Sequence, residues 1–150
     1  MSFELFIKEN DLKVFLLEKF FCNENVKWAG TPDIIGLLND KLVVIDLKTG
    51  TEQTTHQIQL NMYADLIQKC CNFEDEVEMY ALYTKGKWIK QPSYKLKKAK
   101  PNEKVMNATY DIWEYLNTTA RGAKPWPKDK PEIQTVFMGI KSEESLEEIL

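Results

Sequence analysis

From Asp33 to Lys48 the chain reads DIIGLLNDKLVVIDLK, two apolar runs separated by Asn39-Asp40. Dipeptides of this kind favour the left-handed backbone of a two-residue turn, so the runs are expected to fold back as a hairpin. The register then pairs Leu38 with Lys41, Leu37 with Leu42, and so outward to Asp33 opposite Asp46. Both runs are apolar on both faces, which calls for cover above and below and hence a sheet flanked by helices.

The remaining pattern is one of short alternating elements without internal repeats. The first nine or ten residues resemble the end of a helix, with Phe3, Phe6 and Ile7 on one side. Leu12 to Cys22 suits a buried strand or a helix; its aromatic content and the following Asn-Glu-Asn favour strand and turn, with Val26 to Ala29 returning as partner. Thr54 or Thr55 caps a helix running through Gln68, with Ile58, Met62 and Leu66 at core spacing. Gln59 and Tyr63, four residues apart, share a polar stripe on it. Glu76 to Tyr83 alternates as a strand, Lys85-Gly86 turns it, and Lys87 to Lys90 returns. Pro101 opens another helix, in which Val105, Met106, Thr109, Ile112, Trp113 and Leu116 form an apolar stripe ending near Asn117. TTARGAKPWPKDKP reads as a Pro-rich loop, Gln134 to Met138 as a last strand, and SEESLEEIL as a short capped helix or frayed tail.

At 150 residues the chain matches one ordinary domain. No apolar run approaches the roughly 20 residues of a membrane helix, and MSFELFIKEN lacks the form of a signal peptide, so a soluble cytoplasmic protein is expected. Cys22, Cys70 and Cys71 are odd in number, and the adjacent pair is neither metal-ligand spacing nor a disulfide frame; reduced packing thiols are the simpler reading. The formal net charge of −3 argues against a uniformly basic nucleic-acid binder. Positive charge is nonetheless gathered in one stretch, at Lys85, Lys87, Lys90, Lys95, Lys97, Lys98, Lys100 and Lys104, with Trp88 and Tyr94 interleaved. Such a stretch can follow a phosphate backbone, or merely solubilise an edge.

Asp33 and Asp46 carry the candidate chemistry. Directly opposed strand residues have Cβ atoms about 4.5–5.5 Å apart, where like charges repel, so a compensating cation is expected. Strand alternation places Lys48 on the face of Asp46. The plainer alternative is an ion pair in which Lys48 only neutralises Asp46.

Three motifs occur in order: G-T-P-D (Gly30 to Asp33), I-D-L-K (Ile45 to Lys48) followed by T-G, and Q-L-N-M-Y (Gln59 to Tyr63). Together they resemble the PD-(D/E)XK nuclease superfamily, and within it the RecB-type and phage exonuclease group, over roughly Leu12 to Leu66. The resemblance implies an α/β, restriction-endonuclease-like core, with a central mixed β-sheet flanked by helices, in a single domain over residues 1–150. Its core motifs would lie in 12–68 and a basic C-terminal region in 85–140.

It further implies a Mg²⁺- or Mn²⁺-dependent deoxyribonuclease, an exonuclease of phage or prophage recombination or DNA repair. DNA is the implied partner, with a phage single-strand annealing protein beside it. Oxygen-ligated Mg²⁺ or Mn²⁺ suits phosphodiester hydrolysis because it neutralises charge on attacking and leaving oxygens. Asp33 and Asp46 would hold the ion, and the resemblance adds the Leu47 carbonyl and, in second rank, Glu18. Lys48 would lower the pKa of the attacking water and stabilise phosphorane charge. Gln59 and Tyr63 would orient Lys48 or a phosphate. His56, one turn before Gln59, is a further candidate DNA contact, although a lone exposed histidine usually has no particular role, and a histidine zinc site is not expected.

The sequence departs from the family in having only about ten residues before Leu12, where many members carry helices. Three cysteines rather than four mean that no iron–sulfur cluster is expected, and no phosphate-loop motif of an ATP motor is present. The alternatives are a non-catalytic DNA-binding or assembly module of the same fold, or a structure-specific endonuclease such as a Holliday-junction resolvase.

Overall fold

Asn39 and Asp40 both take left-handed backbone angles, φ 51° and 62°, the signature of a two-residue hairpin turn whose twist matches its strands. The hairpin they close is β4 (Ile34–Leu38) with β5 (Lys41–Lys48). Its register runs from Leu38↔Lys41 to Ile34↔Ile45, which carries Asp33 to the place beside Asp46. The computed structural model describes residues 2–25, 28–72, 76–84 and 91–118. Around the hairpin lie α1 (Ser2–Glu9), β1 (Leu12–Leu17), β2 (Phe21–Asn23), β3 (Trp28–Gly30), α2 (Thr54–Cys71), β6 (Glu78–Thr84), β7 (Tyr94–Lys98) and α3 (Glu103–Thr118).

The five-stranded sheet has the order β1-β4-β5-β6-β7 and is mixed. β5 and β6 run parallel, and the other neighbours are antiparallel. A parallel pair needs a crossover, and α2 supplies it. Alternation along β5 divides the core. Val43 and Ile45 join Ile34, Leu38 and Leu82 against Phe6 of α1, each of these fully or almost fully buried. Each such burial contributes on the order of 1.5–3 kcal/mol. Val44, Asp46 and Lys48 point to the opposite face, where α2 lays Leu60, Ala64 and Ile67. The sheet is therefore flanked by a helix on each side, as expected for the fold class.

Several elements differ from the sequence expectation. The run from Leu12 to Cys22 is two strands, because Glu18 turns the chain with φ 47°. β1 pairs with β4, while Cys22, at the end of the run, pairs with Ala29. β2 pairs with β3 as a separate ribbon, Phe21↔Gly30 to Asn23↔Trp28. Neither Thr54 nor Thr55 caps α2: Gln53 is the N-cap, without a side-chain hydrogen bond, and Asn72 closes the other end in the left-handed conformation. Ile58 and Met62 are only half-buried; the helix rotates so that Leu60, Ala64 and Ile67 form the buried stripe, with Leu66 beside it. The strand returning from β6 is β7 at Tyr94–Lys98. The expected strand at 87–90, the turn at 85–86, the loop beyond Thr118, the strand at 134–138 and the tail lie outside the described residues.

The chain divides into two compact units after Glu103. All of the sheet, α1 and α2 belong to the first. In the second, α3 buries Met106 and leaves Ile112, Tyr115 and Leu116 exposed, while Tyr110 donates to Glu114 at 3.0 Å. No helix among the described residues is long and apolar enough to cross a membrane.

On the α1 face, Glu78 gathers Lys98 at 2.5 Å, the Tyr80 hydroxyl at 2.7 Å and Lys41 at 3.2 Å. These donors, Lys98 foremost, hold its carboxyl down to about 2 from 4.5. A depressed carboxylate stabilises the fold above its unfolded pKa and loses that contribution as pH falls through the folded one. We expect wild-type stability to fall between pH 4.5 and 2 and Glu78→Gln to flatten that decline. At neutral pH the substitution should cost on the order of 1 kcal/mol, since the lysines are solvent-screened. Thermal melts across that window measure both effects.

Candidate active site

Asp46 and Lys48 stand two residues apart at the C-terminal end of β5, on the α2 face, and Asp33 immediately precedes β4. Pro32, fully buried, stiffens the approach to Asp33. Asp33 Oδ2 accepts the Leu47 backbone N–H at 2.6 Å, which ties the loop end to β5.

Lys48 is the hub. Its ammonium contacts Asp46 Oδ2 and donates to Gln59 Oε1 at 2.7 Å. Gln59 Nε2 then donates to the Tyr63 hydroxyl at 2.9 Å. An ammonium can only donate, so Gln59 must turn its oxygen to Lys48 and its NH₂ to Tyr63. Tyr63 accepts in that bond and keeps its own proton to give outward. Burial, with the charges of Asp46 and Asp33 behind it, pushes the Tyr63 pKa up, so that proton stays on.

The Tyr63 ring lies over Gly30. A Cβ at residue 30 would come 2.5 Å from Cε1 of the ring, so the glycine of G-T-P-D makes room for the tyrosine of Q-x-x-x-Y. The sequence shows both motifs; that one is the seat of the other was missed.

Asp46 is only 3% exposed. Burial raises its pKa, Lys48 opposes that, and the nearby charge of Asp33 raises it again. Its Oδ2 is buried and in contact with the Lys48 ammonium. A buried carboxylate beside a second carboxylate is an all-oxygen donor set suited to a hard divalent cation, so Asp33 and Asp46 fit the ion that the motifs imply.

Other candidates are placed differently. Glu18 meets Asp33 through the backbone, its N–H donating to the Asp33 carbonyl at 2.9 Å, and its side chain is exposed. Among the described residues, no three His, Cys, Asp or Glu side chains come together as a metal-holding group. Leu47 lies between Asp46 and Lys48, with its N–H committed to Asp33. His56 shares a hydrogen bond of 2.9 Å with the Tyr83 hydroxyl on β6. Tyr83 was not anticipated, because only the parallel pairing Lys48↔Tyr83 brings it here. In the basic stretch, Lys98 faces Glu78, while Lys95 and Lys97 both meet Glu52; 85–90 lie outside the described residues.

No protein-family model matches the chain, and no curated protein matches it. Among solved structures it is similar to the crystal structure of a proposed exonuclease from Eubacterium rectale, with a TM-score of 0.50 and 13% identity over 85% of this chain. The present chain spans 58% of the length of that structure. At this identity the likeness concerns the fold alone, an α/β core with a mixed sheet flanked by helices.

Proposed function

We propose that the chain is a divalent-metal-dependent nuclease hydrolysing DNA phosphodiester bonds, with Mg²⁺ or Mn²⁺ as the ion and exonucleolytic cutting as its mode. The observation that carries this reading is the connected row Asp46–Lys48–Gln59–Tyr63 beside Asp33 on one sheet face. The name borne by the Eubacterium rectale protein, which shares the fold, is in keeping with it. Asp33 and Asp46 would hold the ion, which when bound supplies charge neutralisation at the phosphate and a more acidic water. Lys48, fixed by Gln59, donates to the oxygen on which negative charge develops. Tyr63, with its proton retained, donates to a non-bridging phosphate oxygen.

End-labelled linear and circular DNA incubated with Mg²⁺, Mn²⁺ or EDTA test the proposal. Loss of linear substrate from its ends with either metal, and none with EDTA, is expected. DNA binding without cutting under every condition would instead indicate a non-catalytic module, and linearised circles an endonuclease.

The seat of Tyr63 gives a finer prediction. Gly30→Ala, whose methyl group must push the ring aside, should lower the cleavage rate about tenfold, since small misplacements at a reacting centre are costly. Combined with Tyr63→Phe it should cost little more than the larger single effect, because both act on one hydrogen bond. Additive losses in the kinetic cycle would refute that coupling.

A further inference from the structure

On the site face, the pairing of β5, β6 and β7 aligns two rows across the sheet. One runs Asp46↔Ala81↔Lys97, the other Lys48↔Tyr83↔Lys95. With strands about 4.8 Å apart, the two β7 lysines stand roughly 10 Å in backbone terms from Asp46 and Lys48. Over these rows, the small Ala81 leaves a cleft that Glu52, His56, Tyr83 and Lys97 also line.

Neither lysine takes part in the Asp46–Lys48–Gln59–Tyr63 row. Both converge instead on one carboxylate: Lys95 Nζ lies 3.4 Å from Glu52 Oε2, and Lys97 Nζ contacts Oε1. Glu52 belongs to the segment between β5 and α2, two residues ahead of the helix. It is itself 39% exposed. Two ammonium groups sharing one oxyanion is an arrangement a phosphate satisfies equally well, as a point-charge site. An exposed ion pair of this kind is weak and readily exchanged.

We propose that Lys95 and Lys97, with the Tyr83 hydroxyl at the cleft wall, form a binding subsite for a backbone phosphate of a nucleic-acid strand, and that Glu52 fills it when no strand is bound. The subsite rests on the nuclease reading for its direction: the strand crosses from Lys48 toward β7, with a neighbouring phosphate displacing Glu52. Glu52 thereby acts as an internal competitor for the strand. Burial and the charge of Asp46 raise the pKa of Tyr83, so its hydroxyl, which shares a hydrogen bond with His56, keeps its proton.

Fluorescence anisotropy of a labelled single-stranded oligonucleotide, in EDTA so that nothing is cut, tests the subsite on the full chain. Glu52→Gln should tighten binding three- to tenfold. Lys95→Ala with Lys97→Ala should weaken it at least tenfold and reduce the slope of log affinity against log salt by about 0.7, one phosphate contact's worth. Lys95→Arg with Lys97→Arg should restore both values. Unchanged or weaker binding by Glu52→Gln, an unaltered salt slope in the double alanine variant, or no binding by wild type and Glu52→Gln alike would overturn the proposal.

The two readings fail separately. Metal-dependent cutting that needs Asp46 while these variants bind like wild type removes the subsite alone. The expected binding changes without cutting under any metal remove the nuclease reading alone.

Discussion

Asp46→Asn is expected to lower metal-dependent DNA cleavage by a thousandfold or more while leaving the fold about as stable as wild type. The loss follows from removing one of two carboxylates that would hold the ion: without it, charge on the attacking and leaving oxygens loses its main stabilisation, a term of several kcal/mol. The stability half of the prediction comes from burial. Asp46 is a buried carboxylate whose pKa is raised by burial, with Asp33 as a like-charged neighbour. Neutralising it relieves that repulsion, at the expense of its contact with Lys48, and the two effects oppose each other.

Lys48→Met should lower the rate by about a hundred- to a thousandfold, the usual loss when one donor to a developing oxyanion is removed. Unlike Asp46→Asn it should destabilise the protein, because Asp33 and Asp46 then face each other without a cation. Mg²⁺ should return that stability, raising the melting temperature of Lys48→Met more than that of wild type and leaving Asp46→Asn nearly unmoved. Equal metal responses in all three proteins would place the ion elsewhere.

Gly36→Ala carries the second large effect, on the fold itself. Gly36 in β4 pairs with Val14 of β1, next to the irregularity between Val14 and Leu16. A Cβ there would collide with the Lys13 carbonyl oxygen and sit 3.1 Å from both the Lys13 carbonyl carbon and Val14 Cα. Those atoms are backbone, so nothing flexible can yield, and β1 must move away from the sheet. We expect a loss of about 3 kcal/mol or more, at the upper end for overpacking. For a unit of this size that corresponds to a fall of roughly 12 °C or more in melting temperature. Gly50 is the control: a Cβ there meets nothing within 4 Å, and Gly50→Ala should shift the melt by little. Similar melts for the two variants would show that β1 is not held against β4 as described.

What could be read early was what short-range chemistry decides. The Asn39-Asp40 turn set the β4–β5 register from two residues, and that register put Asp33 beside Asp46. The four-residue spacing of Gln59 and Tyr63 implied neighbours on one helix face, and the two share a hydrogen bond. The errors fell where partners are remote. Leu12 to Cys22 reads as one strand from its aromatic content and the Asn-Glu-Asn that follows, whereas the bend at Glu18 is a backbone event paired with Asp33. The strand that returns to β6 is β7, which begins at Tyr94; the strand expected at 87–90 lies outside the described residues.

By itself, then, the sequence determined the hairpin, its carboxylate pair and the polar stripe of α2, because each depends on residues within one turn or one strand pairing. Only the tertiary structure decided that α2 crosses over β5 so that Gln59 grips Lys48, that Gly30 seats Tyr63, and that Tyr83 and Lys97 flank the site. Parallel pairing through a crossover brings together residues tens of positions apart, and its register is set by how the buried stripe of α2 packs on the sheet, a sum over many contacts that no local motif encodes.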